Sequence, residues 1–499
     1  MTLVHQMLQI AKTHWASHWD RTGDEQRLRL AGIEQEMRKI VSALVEGLWE
    51  VMAGYLDAVA EGQSRMCGCG RRCERQNHDL RLTVLGIAVL FSVPYFYCRV
   101  CKKGTSPVRR WLGLEAGGVS MELERKTTDL TTRMTFGDAV DSLHEQHGHE
   151  MDRTQAERIT YAVGKEATPY LDERRRRALD TLATEGRTQG PHDLQFTADG
   201  GIVMMRTLQR PPKDTVTDPS GLTPARELAK GTWETNGREV RLISVHKVQD
   251  TLDRKIDLHI APYNQTDFTG ERMLTTAFEA GLSDNTAIHG VFDMGTWIHP
   301  QFNEQFHAYE RTLTADISHV TEYLANAGRV LVGSEQAKGW AMSQKHRLLD
   351  GDIDAVLGSL SQHRCGAKGA APCQHDEHGT CLVRVAERYL RNHRSKMNYP
   401  ETKARGLAVG SGEAECGVKL MKKRMNVAGG WKEDNAKLML ALLTVRKSGW
   451  WDDFWAWRNQ RDIDRWRKRQ HDGVTSRFRG RPCWQLHEPQ TNSQSVSSN

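Results

Sequence analysis

Residues 193–206 read DLQFTADGGIVMMR. Apolar, β-branched and aromatic side chains dominate this run, as they do in a strand of a packed sheet. Asp199 breaks the pattern, and a carboxylate in such a strand is costly unless it is paired or binds a metal. Gly200 and Gly201 leave room beside it. A loop marked by Pro211, Pro212, Pro219 and Pro224 follows. REVRLISVHKV (238–248) and DRKIDLHIAP (253–262) then read as two more strands, and TGERMLTTAFEAGL (269–282) as a helix ended by Gly281 and Leu282. TAIHGVF (286–292) is a short strand that delivers Asp293. Helical TWIHPQFNEQF (296–306), the strand TLTADIS (312–318) and the helix HVTEYLANAGRVL (319–331) complete the run.

The order is β, β, β, α, β, α, β, α. That succession predicts a ribonuclease H-like domain, a mixed sheet with helices on its faces. Residues 325–402 interrupt it with an all-α insertion holding a Cys/His-rich loop at 363–381. GLAVGSGEAECGVKLMKKRMN (406–426) resumes the domain as a glycine turn running into a helix. The expected fold class is therefore multidomain α+β, with core parts at 190–324 and 403–457. A basic tail at 458–499 ends in the polar TNSQSVSSN, which lacks the apolar content to order itself.

Three acids suit one chemistry. Phosphodiester cleavage needs charge stabilised on both the attacking and the leaving oxygen, and two metal ions about 3.5–4 Å apart do this. Mg²⁺ takes carboxylate and water oxygens. Asp199 in its strand, Asp293 at a strand end and Glu415 at a helix start supply carboxylates from three elements. Ligands of open α/β sheets gather at such strand ends. A lone Asp after a strand is more often a turn or cap residue than a ligand; the joint pattern carries the inference. Glu413 competes with Glu415, since residues two apart cannot share a helix face.

Upstream, residues 1–62 read as helical, with Ile33, Met37, Ile40, Val41, Leu44, Leu48 and Val51 at helical spacing. Five of the ten cysteines fall between residues 67 and 101, and three between 365 and 381. Such grouping suggests metal rather than disulfides. Cys98 and Cys101 form one zinc half-site; Cys67 with Cys69, or Cys69 with Cys73, forms the other. Together they flank a hairpin with Gly86 in its turn, a zinc ribbon over 63–110. His363, Cys365, Cys373, His375, His378 and Cys381 offer a second zinc site, or equally an unmetallated loop.

Residues 120–185 read as helical. Phe136 to Gln146 and Arg153 to Lys165 are joined by HGHEMD, with Asp152 or Thr154 as cap of the second helix. The pair fits a helix-turn-helix, in which Arg153, Gln155 and Arg158 face a DNA groove, or an ordinary helical hairpin.

The cysteine hairpin, TADGG, GVFDMGTWI, ADISHVTEYL, GLAVGSGEAE and ALLTVRKSGWWDDFW together resemble the Kra-type insertion-sequence transposases, a bacterial DDE family akin to Mutator-like elements. The resemblance runs from about residue 67 to about residue 456. It implies that Asp199, Asp293 and Glu415 are a catalytic triad holding Mg²⁺ or Mn²⁺. It further implies that Asp316 and His319, in the Asp-x-x-His of ADISH, support the active site. The implied reaction is hydrolysis at the transposon end, then attack of the freed 3′-hydroxyl on target DNA. Double-stranded DNA and further copies of the chain are the implied partners. Three features depart from the family pattern: Glu413 and Ala414 stand where two apolar residues are usual, the loop 363–381 is not a family constant, and Cys67 and Cys69 are separated by one residue where a two-residue spacing is usual. A silent DNA-binding regulator derived from a transposase, or another nuclease of this fold, is the rival reading.

Net charge is only +6, so the distribution of basic residues says more than the total. Arg174 to Arg177 form a run that reads as a solvated helix face. Eleven Lys or Arg against five Asp lie between residues 446 and 481, interleaved with Trp450, Trp451, Trp455 and Trp457. The tryptophans read as core, and the arginines beyond them as a phosphate track. No run of apolar residues is long enough to span a bilayer, and MTLVHQMLQIAKTHW is not a secretory signal. A cytoplasmic, nucleoid-associated protein is expected.

Overall fold

A computed structural model of the chain describes residues 66–67, 69–84, 87–106, 108–109, 119–184, 193–209, 232–262, 268–295, 297–363, 365 and 373–475, with scattered positions before residue 50. Within 37–49 every described position is helical. Gly86, the proline-rich loop and the C-terminal tail beyond 475 lie outside the described residues.

Two β-sheets organise the part up to Trp451. The first has three strands, β1 (Glu74–Val84), β2 (Ile87–Cys98) and β3 (Lys103–Thr105), in antiparallel order. It is the cysteine-flanked hairpin with one short strand added.

The second sheet is mixed. Its strands are β4 (Leu194–Gln209), β5 (Thr232–Lys247), β6 (Asp250–Ile260), β7 (Ile288–Phe292) and β8 (Arg311–Ala315), in spatial order β6-β5-β4-β7-β8. β4, β5 and β6 pair antiparallel; β7 and β8 lie parallel to β4. A two-residue strand, β9 (Trp431–Lys432), adds to the far end of β4.

The helices follow in sequence. α1 (Met121–Thr131), α2 (Phe136–His147) and α3 (Arg153–Thr184) precede the sheet. α4 (Thr269–Glu279), α5 (His299–Gln305) and α6 (Ile317–Leu331) alternate with its later strands. α7 (Ala337–Leu349), α8 (Ile353–Ser361), α9 (Leu382–Asn392) and α10 (Tyr399–Ala404) form the helical insertion. α11 (Gly412–Met425) and α12 (Glu433–Lys447) return to the sheet. A last helix, α13 (Trp451–Thr475), extends into a separate unit. There Arg458 lies over the Trp455 ring at 5.1 Å and Arg461 over the Trp457 ring at 4.4 Å.

Alternation along β4 creates two cores, because successive side chains point to opposite faces. Leu194, Phe196 and Ala198 pack with Met273 of α4, Phe302 of α5, and Val320 and Leu324 of α6. The insertion joins this same core through Leu348, Leu357 and Leu390. Val203 and Met205 face the other way, against Val418 and Met421 of α11 and Met439 and Leu440 of α12. Phe136 and Ala156 share this second core, so α2 and α3 are built onto the sheet.

That docking changes one expectation. The helix starting at Arg153 was predicted to stop near Lys165; α3 instead runs for 32 residues, through Pro169. Buried Ala167, Tyr170, Leu171 and Ala178 continue its apolar stripe, and tertiary packing outweighs the bond that proline forfeits. A Cβ on Gly164 would come within 2.8 Å of Leu438 Cβ, so glycine permits the close crossing of α3 and α12. Asp152 caps α3, accepting from the Gln155 N–H at 2.8 Å. Nor is the arginine run simply solvated. Arg174 is bonded to Glu279 and lies 4.4 Å over the Trp450 ring, and Arg175 reaches Asp257 at 3.4 Å.

Among the described residues, no helix is long and apolar enough to cross a membrane.

Candidate active site

Strand register brings three aspartates into one row. β4 pairs with β7 with Thr197 opposite Val291, and β7 pairs with β8 with Phe292 opposite Ala315. Extended to the strand ends, these registers align Asp199 with Asp293 and Asp293 with Asp316. Adjacent strands lie about 4.8 Å apart, so three carboxylate-bearing positions line one edge of the sheet.

Each is fixed locally. The Gly200 N–H donates to Asp199 Oδ1 at 2.7 Å, and the Gly295 N–H to Asp293 Oδ1 at 2.8 Å. The Asp293 bond closes a tight turn in which Met294 takes φ 62°, a left-handed conformation that costs a non-glycine residue energy. Asp316 is fully buried as the N-cap of α6, accepting from the Ser318 N–H at 2.8 Å and from the Ser411 hydroxyl. Its own N–H donates to Phe292 O at 2.8 Å, which holds β7 and α6 in step.

Glu415 arrives from α11. This helix lies close on the sheet because two glycines allow it: a Cβ on Gly201 would meet Val418 Cγ1 at 2.7 Å, and one on Gly417 would meet Leu242 Cδ1 at 2.7 Å. The room beside Asp199 thus admits a helix. Donor atoms of Glu415, Asp316 and His319 all lie within 4.8 Å of one another. His319 Nε2 is 3.7 Å from Asp316 Oδ2. Lys419 Nζ is 3.3 Å from Glu415.

Glu413 points elsewhere. It sits 3.0 Å from Nε2 of buried His246 on β5 and 3.3 Å from Arg254 on β6. Of the two glutamates left open by the sequence, only Glu415 shares the neighbourhood of Asp316 and His319.

Asp199 is half-buried, and that burial raises its pKa above the usual carboxylate value. The Gly200 N–H and His319 oppose the shift, while Asp293 and Glu415 add to it. Asp293, Glu415 and His319 thus all lie close enough to act on Asp199. Asp316, His319 and Glu415 form a group that could hold a metal ion; Asp199 and Asp293 stand outside that group.

Two positioning residues carried no signal in the sequence. The Tyr389 hydroxyl, from α9, donates to Asp293 O at 2.9 Å, and the Tyr399 hydroxyl to Ala315 O at 3.0 Å. Both tyrosines come from the insertion, which thereby braces the ends of β7 and β8. Neither belongs to a motif, and only the folded chain shows their reach.

In the hairpin sheet, Cys67, Cys69, Cys98 and Cys101 form a group whose sulfurs all lie within 4.8 Å of one another. This is a cysteine cluster able to bind zinc, and Cys69 Sγ lies 3.7 Å from Cys98 Sγ. Side-chain bonds to Cys69 and Cys67 push the Cys101 thiol up to about 12. Cys73, the alternative ligand, is outside that group.

Arg153, Gln155 and Arg158 sit in the first turns of α3. Arg153 and Arg158 are exposed and Gln155 half-buried, and Arg153 pairs with Glu157 at 3.1 Å. The chain matches no family model and none of the curated proteins compared with it.

Proposed function

We propose that this chain is a DNA transposase of a bacterial insertion sequence, with a ribonuclease H-like catalytic domain. The observation that carries the reading is the row of Asp199, Asp293 and Asp316 across three parallel strands, met from α11 by Glu415. Asp199, Asp293 and Glu415 would hold two Mg²⁺ or Mn²⁺ ions. Bound there, the metals would activate a water or a 3′-hydroxyl as nucleophile and stabilise the leaving oxygen. The chain's own part is placement. The turn at Met294 and the Gly200 N–H fix two carboxylates, and Asp316 and His319 lie beside the third. His319 would also offer a hydrogen-bonding group beside the scissile phosphate.

The cysteine hairpin would order a small DNA-binding module through zinc. α3 would present Arg153 and Arg158 to double-stranded DNA, within an assembly of several copies holding two transposon ends. This reading places the protein in the cytoplasm with the nucleoid.

The test uses purified protein, Mg²⁺ or Mn²⁺, and DNA carrying the ends that flank its own gene. Wild type cleaves and joins ends; Asp199→Asn abolishes both while binding DNA as before. Strand transfer retained by Asp199→Asn would sink the assignment. DNA bound without cleavage by wild type would favour the regulator. Cleavage with no joining would favour a nuclease.

A further inference from the structure

A second group of metal-ligating side chains lies in the insertion, between α8 and α9. His363 follows the last turn of α8, and Cys381 is the N-cap of α9. Cys373 Sγ sits 3.0 Å from Cys381 Sγ, 3.2 Å from Cys365 Sγ and 3.6 Å from His363 Nε2. These cysteines are free thiols, and their sulfurs are far beyond the roughly 2.05 Å of a disulfide. Ligands around tetrahedral zinc, with Zn–S about 2.3 Å and Zn–N about 2.0–2.1 Å, lie roughly 3.4–3.8 Å from one another. The Cys373–His363 separation is of that size; the two sulfur–sulfur separations are shorter than zinc-bound sulfurs by roughly 0.5–0.8 Å.

The backbone supports the cluster. Between Cys373 and Cys381 the chain makes a tight turn, in which Asp376 N–H donates to Thr380 O and Gly379 N–H to Asp376 O. His375 and Cys381 form an antiparallel bridge. Arg384 of α9 donates to the His363 carbonyl at 3.0 Å, fixing the approach of the imidazole. His363 is partly buried whereas His375 is exposed, though His375 Nε2 also reaches Cys365 Sγ at 3.5 Å.

His363, Cys373 and Cys381 have ligand atoms within 4.8 Å of one another, while Cys365 groups with Cys373 and His375. We propose that His363, Cys373 and Cys381 bind a structural zinc ion, separate from that of the hairpin, with Cys365 closing in from its contact with Cys373 as the fourth ligand, and that this ion staples the end of α8 to the start of α9. The thiols bind as thiolates and release their protons to solvent. The staple sets the α9 helix that carries Tyr389, two turns beyond Cys381. Its consequence for Asp293 rests on the function proposed above; the zinc site does not.

Full-length protein, purified without added zinc and dialysed into Mg²⁺ buffer, is analysed for metal. Wild type is expected to carry two zinc ions per chain, falling to one in Cys373→Ser and to one in Cys98→Ser. X-ray absorption should show sulfur-rich coordination with one imidazole shared over two metals, lost in His363→Ala and kept in His375→Ala. A wild-type content of one zinc, all lost in Cys98→Ser, overturns the proposal. Imidazole lost only in His375→Ala overturns the ligand set. The wild-type count decides even if Cys373→Ser fails to fold, and none of these readouts depends on DNA cleavage.

Discussion

The Tyr389 hydroxyl donates to the backbone carbonyl of Asp293 across 2.9 Å. The bond joins a helix of the insertion to the strand end that bears a candidate metal ligand. The Tyr389 ring is stacked on Tyr323, with centroids 4.2 Å apart, and meets His393 edge-on at 4.8 Å. Burial first, then the neighbouring Tyr323 and Asp293, hold its phenol well above the usual tyrosine range. It therefore remains a donor at any working pH.

Tyr389→Phe keeps the ring and deletes only that bond. A single hydrogen bond contributes about 1 kcal/mol to stability, so the melting temperature should fall by only a few degrees. Cleavage should fall by more, about tenfold, because small misplacements of a catalytic group are costly. The signature that separates positioning from general destabilisation is the Mg²⁺ dependence. The variant should need more Mg²⁺ for half-maximal rate, and an unchanged metal requirement would refute a positioning role.

The two glutamates of α11 should behave oppositely. Glu415→Gln is expected to abolish metal-dependent cleavage with little change in stability. Glu413→Gln should leave the metal site intact and cost about 1–3 kcal/mol, since the amide keeps an acceptor but loses the charge that faces buried His246 and Arg254. The pH dependence gives the pair away. Burial alone would lower the His246 pKa, but the Glu413 bond overturns this and raises it above 6.5. Burial would raise Glu413, but His246 and Arg254 lower it below 4.5. A raised histidine contributes below its unfolded pKa and loses that contribution as pH rises through the folded value. A depressed carboxylate contributes above its unfolded pKa and loses it as pH falls through the folded value. The stability difference between wild type and Glu413→Gln should therefore be widest between about pH 4.5 and 6.5 and shrink on either side. A flat difference across denaturation curves at several pH values would show that the ion pair is not formed.

The order of the large sheet's elements was legible because strands and helices carry different periods. Leu194, Phe196 and Ala198 alternate with polar or small neighbours, and Gly281 ends a helix where glycine tolerates φ 103°. Asp199 was legible as a carboxylate in an apolar strand, and Asp293 and Glu415 only through the joint pattern of strand end and helix start. What could not be read was pairing across distance. The choice between Glu413 and Glu415 depends on His246, far away in sequence on β5, and the alignment of Asp316 with Asp293 depends on a parallel register. Lys165 looked like a helix end because the pattern turns polar there; the stripe resumes at Ala167 only because α12 lies over it. Arg174 looked solvated because its partner, Glu279, is 105 residues away.

Arginines on α3 separate DNA contact from scaffolding. Arg158 is exposed, whereas Arg174 is largely buried against Glu279 and Trp450. On the proposed function, Arg158→Ala should weaken DNA binding and reduce the slope of log affinity against log salt by about one. Arg174→Ala should leave that slope unchanged and destabilise the fold by about 1–3 kcal/mol, as Glu279 loses its partner. Binding isotherms at several salt concentrations, with thermal melts of the same proteins, distinguish the two. Equal salt slopes for wild type and Arg158→Ala would remove α3 from the interface.

Asp199 should be a liability to the metal-free protein. Burial raises its pKa, chiefly against the ionised form, and Asp293 and Glu415 add repulsion. A carboxyl whose folded pKa is raised binds its proton more tightly when folded. Its penalty is absent below the unfolded value of 3.8, grows as pH climbs past it, and stays at its full size at neutral pH. Asn keeps an oxygen that can accept from the Gly200 N–H but carries no charge. In a chelating buffer at neutral pH, Asp199→Asn should therefore melt at a higher temperature than wild type, and the gap should close near pH 3.5. Mg²⁺ should reverse the ranking at neutral pH, because a ligand that binds only the folded state stabilises it in proportion to its occupancy. Wild type has the charge to hold the cation and the variant lacks it. Melts in chelator and in Mg²⁺, at two pH values, test both halves; a variant less stable than wild type in chelator would mean that the carboxylate is paired within the protein and does not await a metal.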